Sequence, residues 1–148
     1  MKTLRFLLFF GLTALVFTNC KKDGDDFEGI RVSIDGKSWT PSVSAGVGGG
    51  FGFLSLTGSD PIASKSIVLV LPEDVTSGEY ALGNEPTIAA TYVDGATNSL
   101  SATSGKITVT EHDRAGKRIK GTFEFEGENP LTGDKSSFTD GEFNVQYQ

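Results

Sequence analysis

Residues Ile30-Arg31-Val32-Ser33-Ile34 alternate apolar and polar side chains, the period of a half-buried strand. Asp35-Gly36 follows, a dipeptide suited to a type I′ turn because that turn needs positive φ twice. A two-residue turn there pairs Ile34 with Lys37 and Val32 with Trp39. It puts Ile30, Val32, Ile34 and Trp39 on one face and Arg31 and Ser33 on the other. Pro41 ends regular pairing or marks an edge. Phe53 to Thr57 reads as a second strand. Ile67-Val68-Leu69-Val70-Leu71 is apolar at every position, the pattern of a central strand covered on both sides. Pro72 closes it.

Further along, Val75 to Leu82 reads as a corner turned at Gly78 and followed by a short strand. Ile88 to Val93 is another strand, ended by Asp94-Gly95. Ala96 to Ser104 is small and polar and reads as a surface loop. Lys106 to Phe125 is the clearest hairpin. A three-residue loop, with Asp113 opening the turn and Gly116 in the left-handed position, pairs Val109 with Gly121 and Ile107 with Phe123. It also pairs Lys106 with Glu124 and Thr108 with Thr122 on the other face, whereas a two-residue loop mixes the faces. Asn129 to Ser137 is a turn-rich connection, and Phe143, Val145 and Tyr147 alternate in a last strand. Eight or nine short strands without amphipathic helices make a single antiparallel β-sandwich the expected fold, with a closed β-barrel as the alternative.

The chain ahead of residue 30 has a different character. Lys2 and Arg5 precede an apolar run from Leu7 to Phe17 broken only by Gly11 and Thr13, the layout of a secretory signal. The run is short of the about 20 residues that a membrane-spanning helix needs. It ends at Phe17-Thr18-Asn19-Cys20, which resembles a bacterial lipobox, although Leu and a small residue are more usual where Phe17 and Asn19 stand. Cys20 is the single cysteine of the chain, so no internal disulfide forms, and lipidation would cap a thiol that is otherwise a liability after export. Lys21, Lys22, Asp23, Gly24, Asp25, Asp26 and Glu28 form a charged tether too polar to pack. The expected organisation is a signal peptide over 1–19, a lipidated Cys20 and charged tether over 20–29, and a β-sandwich over 30–148.

Charge narrows the partners. Formal net charge is −6, and removing residues 1–19, which carry Lys2 and Arg5 and no acid, takes it to −8. That argues against nucleic acid as a partner. The expected contact is with a membrane through the N-terminal lipid, with a glycan or envelope protein as a further partner.

Candidate chemistry is sparse. Gly46-Val47-Gly48-Gly49-Gly50-Phe51-Gly52 lacks the Lys-Ser or Lys-Thr of a phosphate loop and runs into a strand, so it reads as a hairpin connection. Glu111, His112 and Asp113 are consecutive on a strand and point to alternate sides, so they do not converge. The three-residue loop sets His112 opposite Arg118 on the polar face. One histidine and a lipidated cysteine do not make a zinc site, and no metal, cofactor or catalytic residue is expected. Arg114, Lys117, Arg118 and Lys120 give the hairpin a basic tip, suited to an acidic partner or to protection of a sheet edge. Trp39, Tyr80 and Tyr92 are candidates for a sugar-stacking platform, with core packing the reading their strand positions favour.

The segments CKKD at Cys20, SGKITVTEHDRAGKRIKGTFEFEG from Ser104 and FTDGEFNV from Phe138 resemble a family of small Bacteroidota lipoproteins with an all-β domain of unknown function. In that resemblance Cys20 carries the lipid. Lys21, Lys22, Asp23, Asp25 and Asp26 match the Cys-Lys-acidic signal that routes such proteins to the outer leaflet of the outer membrane, the periplasmic face being the alternative. The resemblance supplies no active site. The function expected is that of a non-enzymatic, lipid-anchored envelope protein with a binding or scaffolding β-sandwich. The alternatives are a carbohydrate- or protein-binding accessory module of an outer-membrane nutrient-uptake system, and a small hydrolase with dispersed carboxylates.

Overall fold

The computed structural model describes residues 27–48, 52–83 and 86–148. The described residues are all-β, with ten strands and no helix. They are β1 (Gly29–Ile34), β2 (Lys37–Trp39), β3 (Val43–Val47), β4 (Phe53–Asp60), β5 (Lys65–Pro72), β6 (Gly78–Ala81), β7 (Ala89–Asp94), β8 (Asn98–Asp113), β9 (Arg118–Glu128) and β10 (Lys135–Gln146). One antiparallel sheet runs β2-β1-β10-β9-β8-β7-β5-β4-β3, and β6 pairs with β8 beside that path. The sheet curls until its ends approach each other, a shape between a sandwich and a half-barrel.

Alternation sets which face turns inward. Ile30, Val32, Leu54, Leu56, Ile67, Leu69, Ile107, Val109, Phe123 and Phe125 are buried on the concave side. The first hairpin has the expected register, with Ile34 opposite Lys37 and Val32 opposite Trp39, and Asp35 and Gly36 both at positive φ. A row of rings crosses the interior. Trp39 meets Tyr92 edge-on at 5.7 Å, Tyr92 meets Phe138 at 5.2 Å, and Phe138 stacks on Phe125 at 4.2 Å. Tyr92 is only 3% exposed and Tyr80 is half-buried against the core, so neither ring belongs to an open platform.

The central hairpin keeps the expected pairs Ile107–Phe123, Val109–Gly121, Lys106–Glu124 and Thr108–Thr122. Its tip differs. A bulge between Val109 and Glu111 adds one residue to β8, so His112 lies opposite Ile119 and Asp113 opposite Arg118. Two residues against one is what a bulge does, and the extra residue reverses the facing of everything beyond it. The loop is therefore four residues long. Lys117 rather than Gly116 takes the left-handed conformation, at φ 51°. The Gly116 amide donates to the Asp113 carboxylate at 2.9 Å, which closes the turn.

Four further details differ from expectation. Residues 96–104 are not a surface loop. From Asn98 they are the first half of the long strand β8, with Leu100 2% exposed in the core. Residues 43–47 form β3, which pairs with β4, so Gly46 and Val47 belong to a strand and not to the connection. β5 is buried on one face alone, since Val68 and Val70 point outward and are half-buried. The strands are not uniformly short either, because β8 spans 16 residues and β10 spans 12.

The seam of the curled sheet lies between β3 and the end of β10. Gly46 forms a parallel bridge with Tyr147, and backbone bonds join Gly48 N–H to Gln148 O at 3.0 Å and Gln148 N–H to Gly46 O at 3.2 Å. Ser44 Oγ accepts from Ile30 N–H at 3.1 Å on the same seam. Glycine is required at position 46, because a Cβ there would sit 2.6 Å from the Cβ of Tyr147.

Candidate functional site

Cys20, Lys21, Lys22, Asp23, Asp25 and Asp26 lie outside the described residues. The fold nevertheless fixes where the described chain enters the domain. The Phe27 carbonyl accepts from Asn144 Nδ2 at 2.6 Å, Glu28 pairs with Arg118 at 3.1 Å, and the Arg31 guanidinium lies 4.6 Å from the centre of the Phe27 ring. Gly29 pairs with Asn144 and Arg118 with Gln146, so β1 starts at the end of the domain that carries the β8–β9 hairpin tip.

A groove of about 530 Å³ opens at this end, lined by Gly52, Glu73, Asp74, Arg114, Lys117 and Tyr147. Carboxylates stand on the β5 side and cations on the hairpin side. Tyr147 forms the floor, 7% exposed, and its hydroxyl lies 2.8 Å from His112 Nε2. His112 Nδ1 is 2.8 Å from the Val75 carbonyl. A carbonyl only accepts, so Nδ1 carries the proton, and in the neutral ring the Tyr147 hydroxyl donates to Nε2. Burial pushes the Tyr147 phenol above its ordinary range; Glu73 and Asp113 add to this and Arg114 opposes it.

The expectation of a solvated His112 opposite Arg118 is thereby corrected. His112 is half-buried, with both ring nitrogens occupied. The sequence carried a signal for this only in retrospect, because an inward His112 requires the bulge at Thr110. Its neighbours go elsewhere, as expected from a strand. Glu111 pairs with Lys120 at 3.2 Å, and Asp113 caps the hairpin turn. Of the basic tip, Arg118 and Lys120 are in ion pairs, while Arg114 and Lys117 face the groove.

The opposite mouth holds a second cleft of about 360 Å³, bordered by Trp39, Lys65, Tyr92, Asp94 and Asn98. Lys65 Nζ is 3.3 Å from Asp94 Oδ2, and the Tyr92 hydroxyl donates to the same oxygen at 3.4 Å. The hydrogen bond to Asp94 holds the Lys65 ammonium above its usual range. Burial first, and then the Asp94 charge, raise the Tyr92 phenol, against an opposing effect of Lys65. Among the described residues no group of three or more His, Cys, Asp or Glu side chains is placed to hold a metal ion, and no helix is long and apolar enough to cross a membrane.

These features define an all-β domain with a mixed-charge groove at the end where β1 starts and an aromatic-lined cleft at the far mouth. A family model described as a domain of unknown function, DUF6252, matches residues 28–145, and the chain belongs to that family. No curated protein and no solved structure matches the chain.

Proposed function

We propose that the protein is a lipid-anchored lipoprotein of the cell envelope, in a bacterium of the Bacteroidota, that displays its β domain as a binding or scaffolding module rather than as an enzyme. One observation carries the reading: a single cysteine, Cys20, stands directly behind the apolar run Leu7–Phe17 and ahead of a charged tether. Two further observations support it. The family match begins at residue 28, at the very end of the segment read as signal and tether, and leaves the rest of that segment outside the family domain. The tether also joins the domain at one end, through Phe27 and Glu28, so an anchor at Cys20 would hold the hairpin end toward the membrane and turn the cleft at Trp39 outward.

The occupied nitrogens of His112 suit a structural tie better than proton transfer to an outside substrate. The cell surface is the site proposed, with Lys21, Lys22, Asp23, Asp25 and Asp26 as the routing signal. Cys20→Ser should release the protein from the membrane fraction or leave uncleaved precursor. Replacing Asp23, Asp25 and Asp26 with Ala should protect the domain from protease added to whole cells. A Cys20→Ser protein cleaved to mature size and still bound to the membrane would contradict the anchor, and unchanged digestion of the triple variant would reduce the acidic run to a spacer.

A second reading is favoured by the cleft at the far mouth. Trp39, Lys65, Asp94 and Asn98 combine an aromatic edge with donors and acceptors, the lining of a small polar-ligand site at the mouth of a curled sheet. In that reading the protein is a carbohydrate- or protein-binding accessory of an outer-membrane uptake system. A glycan array probed with the protein and with its Trp39→Ala variant tests it.

A further inference from the structure

The mixed-charge groove carries charges that the rest of the fold leaves unmatched. Elsewhere on the domain, Arg31, Lys65, Lys106, Arg118, Lys120 and Lys135 each hold a carboxylate. Arg114 and Lys117 on the hairpin wall hold none among the described residues. The Glu73 and Asp74 carboxylates on the facing wall are in no ion pair there either.

Backbone bonds fix both walls. The Glu73 amide donates to the Gly52 carbonyl at 2.9 Å, and the Val75 amide to the Pro72 carbonyl at 3.1 Å. On the hairpin wall the Tyr147 amide donates to the Lys117 carbonyl at 2.9 Å, and Asp113 takes the Gly116 amide. Opposite charges therefore face each other across open space instead of closing into pairs. Arg114 and Glu73 act on the Tyr147 phenol in opposite directions, so both stand near its hydroxyl. His112 already engages that hydroxyl, which leaves the floor without a charge of its own.

We propose that this groove binds a zwitterion, a small molecule with a primary ammonium at one end and a phosphate or carboxylate at the other. Charge selects the class. A simple anion drawn to Arg114 and Lys117 is repelled by Glu73 and Asp74, and a simple cation meets the reverse. A molecule with both ends satisfies both walls. A neutral sugar would cover four charges without pairing them, which costs desolvation for no return. The donors also fit. A guanidinium and an ammonium give charge-assisted hydrogen bonds to an anion, and two carboxylates accept the protons of an ammonium. The volume of about 530 Å³ lies within the range of small-ligand sites. An ethanolamine phosphate lipid headgroup and a short peptide share this chemistry. The lipid source rests on the proposed anchor, which would bring this end to the bilayer, but the site itself does not.

The test is isothermal titration calorimetry at neutral pH on the full chain, purified in a nonionic detergent. Phosphoethanolamine and glycylglycine are the zwitterionic probes, and ethanolamine and inorganic phosphate carry one charge sign each. At least one zwitterion should bind about tenfold more tightly than either single-sign probe. Tighter phosphoethanolamine would support a lipid headgroup as the source, and tighter glycylglycine a peptide. Arg114→Gln combined with Lys117→Asn should remove the advantage, asparagine being tolerant of the left-handed conformation at 117. Glu73→Gln combined with Asp74→Asn should remove it too. Arg114→Lys, which keeps the charge, should retain it, and thermal melts of all variants should match the parent. No binding, phosphate or ethanolamine bound as tightly as the zwitterions, or an advantage that survives both double variants would overturn the proposal. The probe comparison on the unsubstituted chain decides even where a double variant melts early.

Discussion

The hydroxyl of Tyr147 lies 2.8 Å from Nε2 of His112 and ties the C-terminal end of the chain to the central hairpin. Gly46 packs on the Cβ of the same tyrosine and Gly48 on its ring, where an added Cβ would approach to 2.6 and 3.1 Å. Tyr147→Phe should therefore cost about 1 kcal/mol, the net worth of a partly buried hydrogen bond. Gly46→Val should cost more, about 1–3 kcal/mol, because it overpacks the seam. Urea melts of the two variants against the parent check both values. A Gly46→Val protein as stable as its parent would mean that the seam is open in solution.

Alkaline pH should weaken the fold in a defined window. The Tyr92 and Tyr147 phenols are raised by burial, so the unfolded chain loses these protons first and the folded state falls behind as pH climbs. Lys65 acts in the same direction, since its ammonium is held by Asp94 in the folded state and that contribution fades as it deprotonates. Stability should be level up to about pH 10 and fall above it, through the raised folded-state values. Tyr147→Phe should flatten part of that fall, and urea midpoints measured from about pH 8 to 11 would show it. A decline that begins near neutrality would implicate other groups.

Phe123 and Thr122 are neighbours on β9 with opposite environments, Phe123 3% exposed between Phe125 and Phe143 and Thr122 exposed to solvent. Phe123→Ala should cost about 3–5 kcal/mol, the range for deleting a buried aromatic. Thr122→Ala should stay within about 0.5 kcal/mol. Chemical denaturation distinguishes them, and equal losses would mean that both faces of β9 are covered.

Lys117, not Gly116, is the left-handed residue of the hairpin loop. Lys117→Val should lose about 1–2 kcal/mol, because a β-branched residue resists positive φ. Lys117→Gly should be neutral or gain up to about 1 kcal/mol. The order of the two melting temperatures checks this, and a silent Lys117→Val would return the strain to Gly116.

Much of the sheet was legible where local chemistry and alternation agree. Asp35-Gly36 dictates a turn whose register matches the alternation of Ile30, Val32 and Ile34. Around Ile107 and Phe123 two apolar rows can meet in only one register. The missed features depend on partners distant in sequence. The bulge at Thr110 exists because β8 must follow the curl of the sheet, and it carries His112 inward to Val75 and Tyr147, 37 and 35 positions away. Residues 96–104 looked like a loop because their outward positions are all small and polar, yet Leu100 and Ala102 alternate and mark the strand. The groove was illegible for the same reason, since Glu73, Asp74, Arg114, Lys117 and Tyr147 come from three separate stretches that only the curled sheet brings together.

The anchor is the claim on which the proposed function rests, and the intact mass of the protein extracted from membranes tests it most directly. The expected result is a mature chain that begins at Cys20 and exceeds the mass of residues 20–148 by a lipid at the sulfur, with acylation of the new amino group. An unmodified N-terminus at any other residue, or a chain starting at Cys20 with no added mass, would contradict it.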